Sequence, residues 1–311
     1  MGDENRRRFE KQVQEELQRS IDARRAEPAG GGFGIAAEST VTSLENARDK
    51  TRDPIPRVAA LHALASGRRN DDEFVQTLLD LVTDQAEPAE LRSGVLRIIG
   101  QLRFSSVTLN ARRPELIDAL RSLIDAPDLA VRRDAVEMLS QEKDEYAQRR
   151  LLDSLDSGEP LAGSLEKTIQ LLGYDIHADY YPLLRDIART ADTPEARREA
   201  VRLLAADAQS VDVLQEILRN RDEDQQVRRA SASGYLSLDP QGFERDAREI
   251  VFDESEDDEV RAATLSALTH FAHPSARDAE LHDYVDELER SPGSESLNEA
   301  ARAYQRQRGR D

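Results

Sequence analysis

The sequence predicts an all-α protein, a right-handed α-solenoid (alpha-alpha superhelix) of about seven helix pairs with a helical N-terminal cap. Three observations predict it. A short pattern recurs at intervals near 33 residues, each interval holds two stretches with apolar residues on one helical face, and no segment shows sustained period-two alternation of β-branched residues.

The recurring pattern is a polar turn, often with Asp or Pro, then an Arg, then apolar residues four and seven places later. It reads DPIPRVAALHAL at 53–64, EPAELRSGVLRIIG at 87–100, DLAVRRDAVEML at 128–139, TPEARREAVRLL at 193–204, DQQVRRASASGYL at 224–236 and DEVRAATLSAL at 258–268. A degenerate copy, EPLAGSLEKTIQLL at 159–172, has Leu165 in the Arg position. Anchoring on Arg57, Arg92, Arg132, Leu165, Arg197, Arg228 and Arg261 gives spacings of 35, 40, 33, 32, 31 and 33 residues. The longest interval contains RFSSVTLNARR at 103–113, which reads as a loop insertion.

In the third unit Val131, Ala135, Met138 and Leu139 share one face of a helix, with Asp128 placed to cap it. A second helix follows at 144–156, and similar second helices are expected at 71–84, 114–125, 178–189, 210–219, 241–252 and 276–289. One such pair cannot bury its own apolar stripe, whereas stacked pairs bury a continuous core between neighbours. That is how a chain with 38% hydrophobic residues and no Trp can fold. Ala60, Ala135, Ala200 and Ala263 recur where helices approach closely.

The ends differ. Residues 1–26 read as a charged N-terminal helix whose narrow stripe is Phe9, Val13, Leu17 and Ile21. It either caps the first repeat or docks on another chain. A Gly-rich linker follows at 27–34, a capping helix at 35–52, the repeat array at 53–290, and a C-terminal tail at 291–311 with a short helix expected at 297–308.

The motif D-x-x-V-R-R-x-A-V-x-x-L, with its helix pair and its period, resembles HEAT repeats, in particular the short bacterial and archaeal HEAT-like units of the phycobilisome-lyase type. The resemblance covers 53–290 and implies an armadillo-type fold. It implies that the Arg after each turn packs across repeats against an acidic turn residue, in contacts of the Arg197–Asp192 type. It also implies a protein partner bound on a concave surface formed by the second helices. Within the same resemblance stand an enzyme or accessory subunit of the lyase-like class, and an assembly factor acting through the terminal helices. Deoxyhypusine hydroxylases use similar repeats but bind iron through His-Glu dipeptides, and this chain has none.

Composition bounds the function. The 311 residues carry 62 Asp+Glu against 43 Lys+Arg, a net charge of -19, which argues against non-specific nucleic-acid binding and anionic membranes. Only four of the basic residues are Lys. The acid-rich, Lys-poor balance fits either a halophile or a GC-rich genome with an ordinary acidic surface. The absence of Cys excludes disulfides and thiolate chemistry. No apolar run approaches membrane-spanning length, and MGDENRRRFEKQ lacks a secretory apolar core, so a cytoplasmic location is expected.

Catalytic signals are absent: there is no P-loop, no dinucleotide fingerprint and no nucleophile elbow. His270, His273 and His282 are close in sequence, but Pro274 puts the second at a helix end, and structural or surface roles fit better than a metal site. No cofactor is expected. The expected function is a non-enzymatic scaffold or adaptor. One candidate contact set is Tyr180, Tyr181, Arg185 and Asp186, with one tyrosine facing inward and one presented outward. The other is the acidic run Asp253, Glu254, Glu256 and Asp257, read either as a docking rim for a basic partner or as a solvated turn. The oligomeric state is open.

Overall fold

A computed structural model describes residues 3–26, 44–175, 179–271, 279–290 and 294–308, and every regular element among them is helical. The linker at 27–34, half of the capping segment at 35–52, His177 and His273 lie outside the described residues. The chain forms two compact units, Met1–Asp175 and Ile176–Asp311.

The first unit contains α1 (Asp3–Ala26), α2 (residues 44–48), α3 (Pro54–Arg68), α4 (Asp72–Thr83), α5 (Ala89–Leu102), α6 (Val107–Ala111), α7 (Arg113–Ser122), α8 (Leu129–Gln141), α9 (Glu145–Asp156) and α10 (Leu165–Leu172). The second contains α11 (Tyr181–Thr190), α12 (Pro194–Leu204), α13 (Val211–Arg219), α14 (Gln225–Leu238), α15 (Pro240–Phe252), α16 (Asp258–Phe271), α17 (Ala279–Arg290) and α18 (Glu295–Arg308). The helices start where a short polar side chain can satisfy orphan amides: Asp71 accepts from the Phe74 amide, Asp144 from Ala147, Ser164 from Lys167 and Asp239 from Gly242.

Helices carrying the repeat pattern form one layer in each unit, α3–α5–α8–α10 in the first and α12–α14–α16–α18 in the second. The second helices lie behind that layer. Each packs chiefly on the pattern helix that follows it, as in α4 on α5, α7 on α8, α13 on α14 and α17 on α18. The packed hairpin is therefore shifted by one helix from the pairs delimited by the sequence pattern. Close approach within the layer depends on small side chains. A Cβ on Gly94 of α5 would lie 2.7 Å from a Val58 methyl on α3.

The repeat arginines explain the shifted pairing. Nε of Arg57, Arg92, Arg228 and Arg261 donates to the carbonyl ten residues earlier (Ala47, Val82, Leu218 and Val251), at the C-terminal end of the preceding helix. The forks of Arg57 and Arg228 then grip a carboxylate of the next repeat's turn. The Arg57 Nη atoms reach the two Glu87 oxygens at 2.7 and 2.8 Å, and those of Arg228 reach Glu256 at 2.8 and 2.7 Å. Arg132 and Arg197 instead cap the carbonyl six residues back, at Ala126 and Ala191. Arg197 pairs with Glu223 at 2.7 Å rather than with Asp192, which corrects the expected contact. The clamp is directed forward because the paired acid lies five residues before the next repeat's arginine.

Two further differences concern the segments outside the pattern. Residues 103–113 are not a plain loop: Ser106 caps α6 at the Leu109 amide, its hydroxyl also bonds the Arg69 carbonyl, and Leu109 is buried. Helix α18 is a full 14-residue element packed on α16 and α17, with Leu297, Ala301 and Tyr304 buried.

Two substitutions test the packing in urea denaturation. Arg57→Ala leaves Glu87 charged, buried and unpaired, and is expected to cost about 3–5 kcal/mol, whereas Arg57→Met with Glu87→Leu recovers most of the loss. A destabilisation from Arg57→Ala below about 1 kcal/mol would show that the clamp does not stabilise the fold. Gly94→Ala is expected to cost about 1–3 kcal/mol by forcing α3 and α5 apart.

Candidate protein-binding surface

The structure separates the sequence-derived candidates. Tyr180 is buried at the start of α11, and Tyr181 is half-buried against it, edge to face, with ring centroids 4.9 Å apart. Arg185 is engaged by Asp207 and Ser210, which leaves Asp186 as the exposed member of the set. Tyr181, Arg185 and Asp186 belong to α11, a second helix, and Tyr180 is its N-cap residue.

The acidic run is largely occupied inside the fold. Glu256 is the carboxylate held by Arg228, with its side chain 6% exposed, so it is not a free rim acid. Hydrogen bonds from Arg228 hold its pKa below the usual carboxylate range, against the opposing effect of burial. Asp257 caps α16 at the Glu259 and Val260 amides and accepts from Gln225. Asp253 accepts from Ser255 and pairs with Arg221. Glu254 is exposed. The run is an inter-repeat turn in which Glu256 closes a clamp and Asp257 a cap, while Glu254 stays exposed.

An open concavity lies elsewhere. In the second unit α12, α14, α16 and α18 line an open groove of about 1170 Å3. It is formed by the pattern helices. Its floor is made of small residues, among them Ala230, Ser233, Ala263, Ser266 and Ala267. Its charged groups are Arg198, Arg229, Arg302 and Arg306 against Glu259 and Glu299. A groove with four arginines and two glutamates is locally positive on a chain of net charge -19.

These arginines differ from the clamps in their surroundings. Arg229 and Glu259 are 3.7 Å apart, Arg198 and Glu199 are 3.9 Å apart, and Arg302 and Glu289 are 3.9 Å apart. Contacts this long are worth little, the more so where both partners are open to solvent, as in Arg302–Glu289. Arg306 is exposed at the C-terminal end of α18. The sequence signal for this set is the Arg-Arg doublet at 197–198 and 228–229. Successive helical residues point about 100° apart, so the first Arg turns into the clamp and the second into the groove.

The outer layer of the same unit holds a buried polar cluster. Asp246 on α15 accepts from Gln215 at 2.7 Å and Arg219 at 2.5 Å, both on α13. Burial pushes the Asp246 carboxyl up, but these bonds outweigh it and leave its pKa low. The Tyr235 phenol is pushed up to about 12 by burial and by the neighbouring carboxylates. The cluster ties α13, α14 and α15 together behind the groove.

No group of His, Asp and Glu side chains suited to a metal ion occurs among the described residues. No described helix is long and apolar enough to cross a membrane. No protein-family model matches the chain, and no curated protein matches it. One similar solved structure is the complex of CpcE and CpcF of phycocyanin lyase from Nostoc sp. PCC7120. It has 17% sequence identity and a TM-score of 0.41, and the match covers 91% of this chain and 98% of that chain.

The assignment of Glu256 to the fold has a pH signature. A depressed carboxylate pKa contributes stability above the unfolded value of about 4.3, and that contribution is lost as pH falls through the folded value. Glu256→Gln should lower the melting temperature at pH 7 by on the order of 5 °C, with the gap to wild type closing below about pH 4. Glu254→Gln should leave the melting curve unchanged at both pH values.

Proposed function

We propose that the protein is a non-catalytic adaptor that binds a protein partner through the groove between α12, α14, α16 and α18. The observation that carries this reading is an open groove whose floor is small and whose arginines are not tied into the fold. A floor of Ala and Ser lets a partner's backbone or side chains approach closely. Exposed guanidinium groups along the rim supply directional hydrogen bonds and attract an encounter partner of opposite charge. Recognition is distributed: each pattern helix adds a few side chains, and stacking fixes their spacing.

The outer-layer set is not the contact surface in this reading. Tyr180 and Arg185 have packing partners there, and Glu256 and Asp257 serve the repeat turns.

Filling the groove tests the reading. Ala230→Arg with Ala267→Arg is expected to abolish recovery of the partner that wild-type protein retains in affinity purification from its native cells. Replacing Asp186 and Glu254 by Asn and Gln should leave that recovery intact. Loss of the partner with the second pair and retention with the first would move the contact surface to the outer layer.

A further inference from the structure

The layer of pattern helices occurs in both units, and in the first it already carries an occupant. Helix α1 packs on α3 with Phe9 and Val13 buried and Leu17 half-buried. Beside this stripe Arg6 pairs with Asp134 of α8 at 2.9 Å, and Glu10 pairs with Arg97 of α5 at 2.9 Å. Ser93 donates to the other Asp134 oxygen at 3.0 Å. The surface accepts an amphipathic helix, with apolar residues facing the layer and flanking charges matched to it.

The two units present corresponding positions. Beside α1, the residues two, five and nine places after the repeat arginine Arg132 are Asp134, Glu137 and Gln141, and all three line the cleft there. In the second unit the same offsets from Arg228 give Ala230, Ser233 and Ser237, and all three line the open groove. The face that α1 contacts in one unit thus corresponds to the face that, among the described residues, lines the open groove in the other. Smaller residues on it permit closer approach, and the charge differs: Asp134 and Glu137 give way to Ala230 and Ser233, while Arg198, Arg229, Arg302 and Arg306 stand at the rim.

We infer that the groove takes an acidic amphipathic helix of a partner protein, seated as α1 is seated on its own layer but with carboxylates along its flanks. This rests on the groove being the binding surface. The precedent of α1 specifies a helix, and the excess of rim arginines specifies its charge. A basic helix would meet like charge, which costs affinity and slows encounter. The α1 segment of a second copy is a poor match, because α1 carries seven basic residues against six acids.

A display library of helical peptides panned against the full chain tests the inference. The expected selection is an apolar stripe at four-residue spacing with Glu and Asp on both flanks. A synthetic peptide of that sequence should bind with an affinity that falls at least tenfold in Arg229→Glu with Arg302→Glu, and a Lys-flanked version should show the opposite preference. Arg302 is exposed and Arg229 half-buried, and circular dichroism of the variant verifies the fold. Selection of basic helices, extended peptides or the α1 sequence, blocked by Ala230→Arg with Ala267→Arg, would overturn the acidic-helix assignment and leave the groove as the binding surface. Failure to select any peptide blocked by that pair would overturn both.

Discussion

A buried guanidinium decides how successive layers of this protein meet. Arg57 is 1% exposed and Arg228 2%, yet each uses Nε on a helix-end carbonyl and both Nη atoms on a glutamate of the next turn. Only Arg has the planar fork for three such bonds at once; a Lys ammonium would leave acceptors of this buried site without directed donors. The desolvation cost of a buried ion pair is large, so the clamp is better understood as fixing the register of neighbouring repeats than as a large net source of stability. Arg261 shows the device with other partners for its fork. It keeps its carbonyl bond to Val251 and turns to Asp258 and the Tyr284 hydroxyl.

The clamp also accounts for the placement of charge. Its acids, together with helix-capping aspartates such as Asp128, Asp144, Asp224 and Asp257, are concentrated in the turns. The inner layer is left to small side chains and to the second Arg of each doublet. A strongly negative chain thereby carries a positive groove. Net charge describes the long-range field, while a contact surface is set by which charges the fold has already neutralised.

Much of the architecture was legible in the sequence because its determinants are local. The second helix expected at 144–156 is Glu145–Asp156, and that expected at 210–219 is Val211–Arg219, since amphipathic periodicity and an N-terminal cap mark such elements directly. The hairpin phase was not legible. Amphipathicity shows that a helix buries one face but not which neighbour receives it, and the choice follows from a clamp linking residues ten back and about thirty forward. Helix α6 was missed because five residues are too few for a period to register. The site was the least legible part. Tyr180 and Glu256 look like recognition residues by type, and only their partners show that they are internal, whereas the groove arginines resemble the consensus arginines beside them.

Clamp partners are separated by at most 30 residues, so each forms soon after its segments leave the ribosome. The docking of α1 follows a different schedule, because Arg6 and Asp134 are 128 residues apart. At roughly 5–20 residues per second, α1 waits on the order of 6–26 seconds for α8. For that interval Phe9 and Val13 lack part of their final surroundings while the repeats behind them are already folding. Helix α1 thus completes its contacts long after it is made, which leaves it open to chaperones or to a neighbouring nascent chain in the meantime.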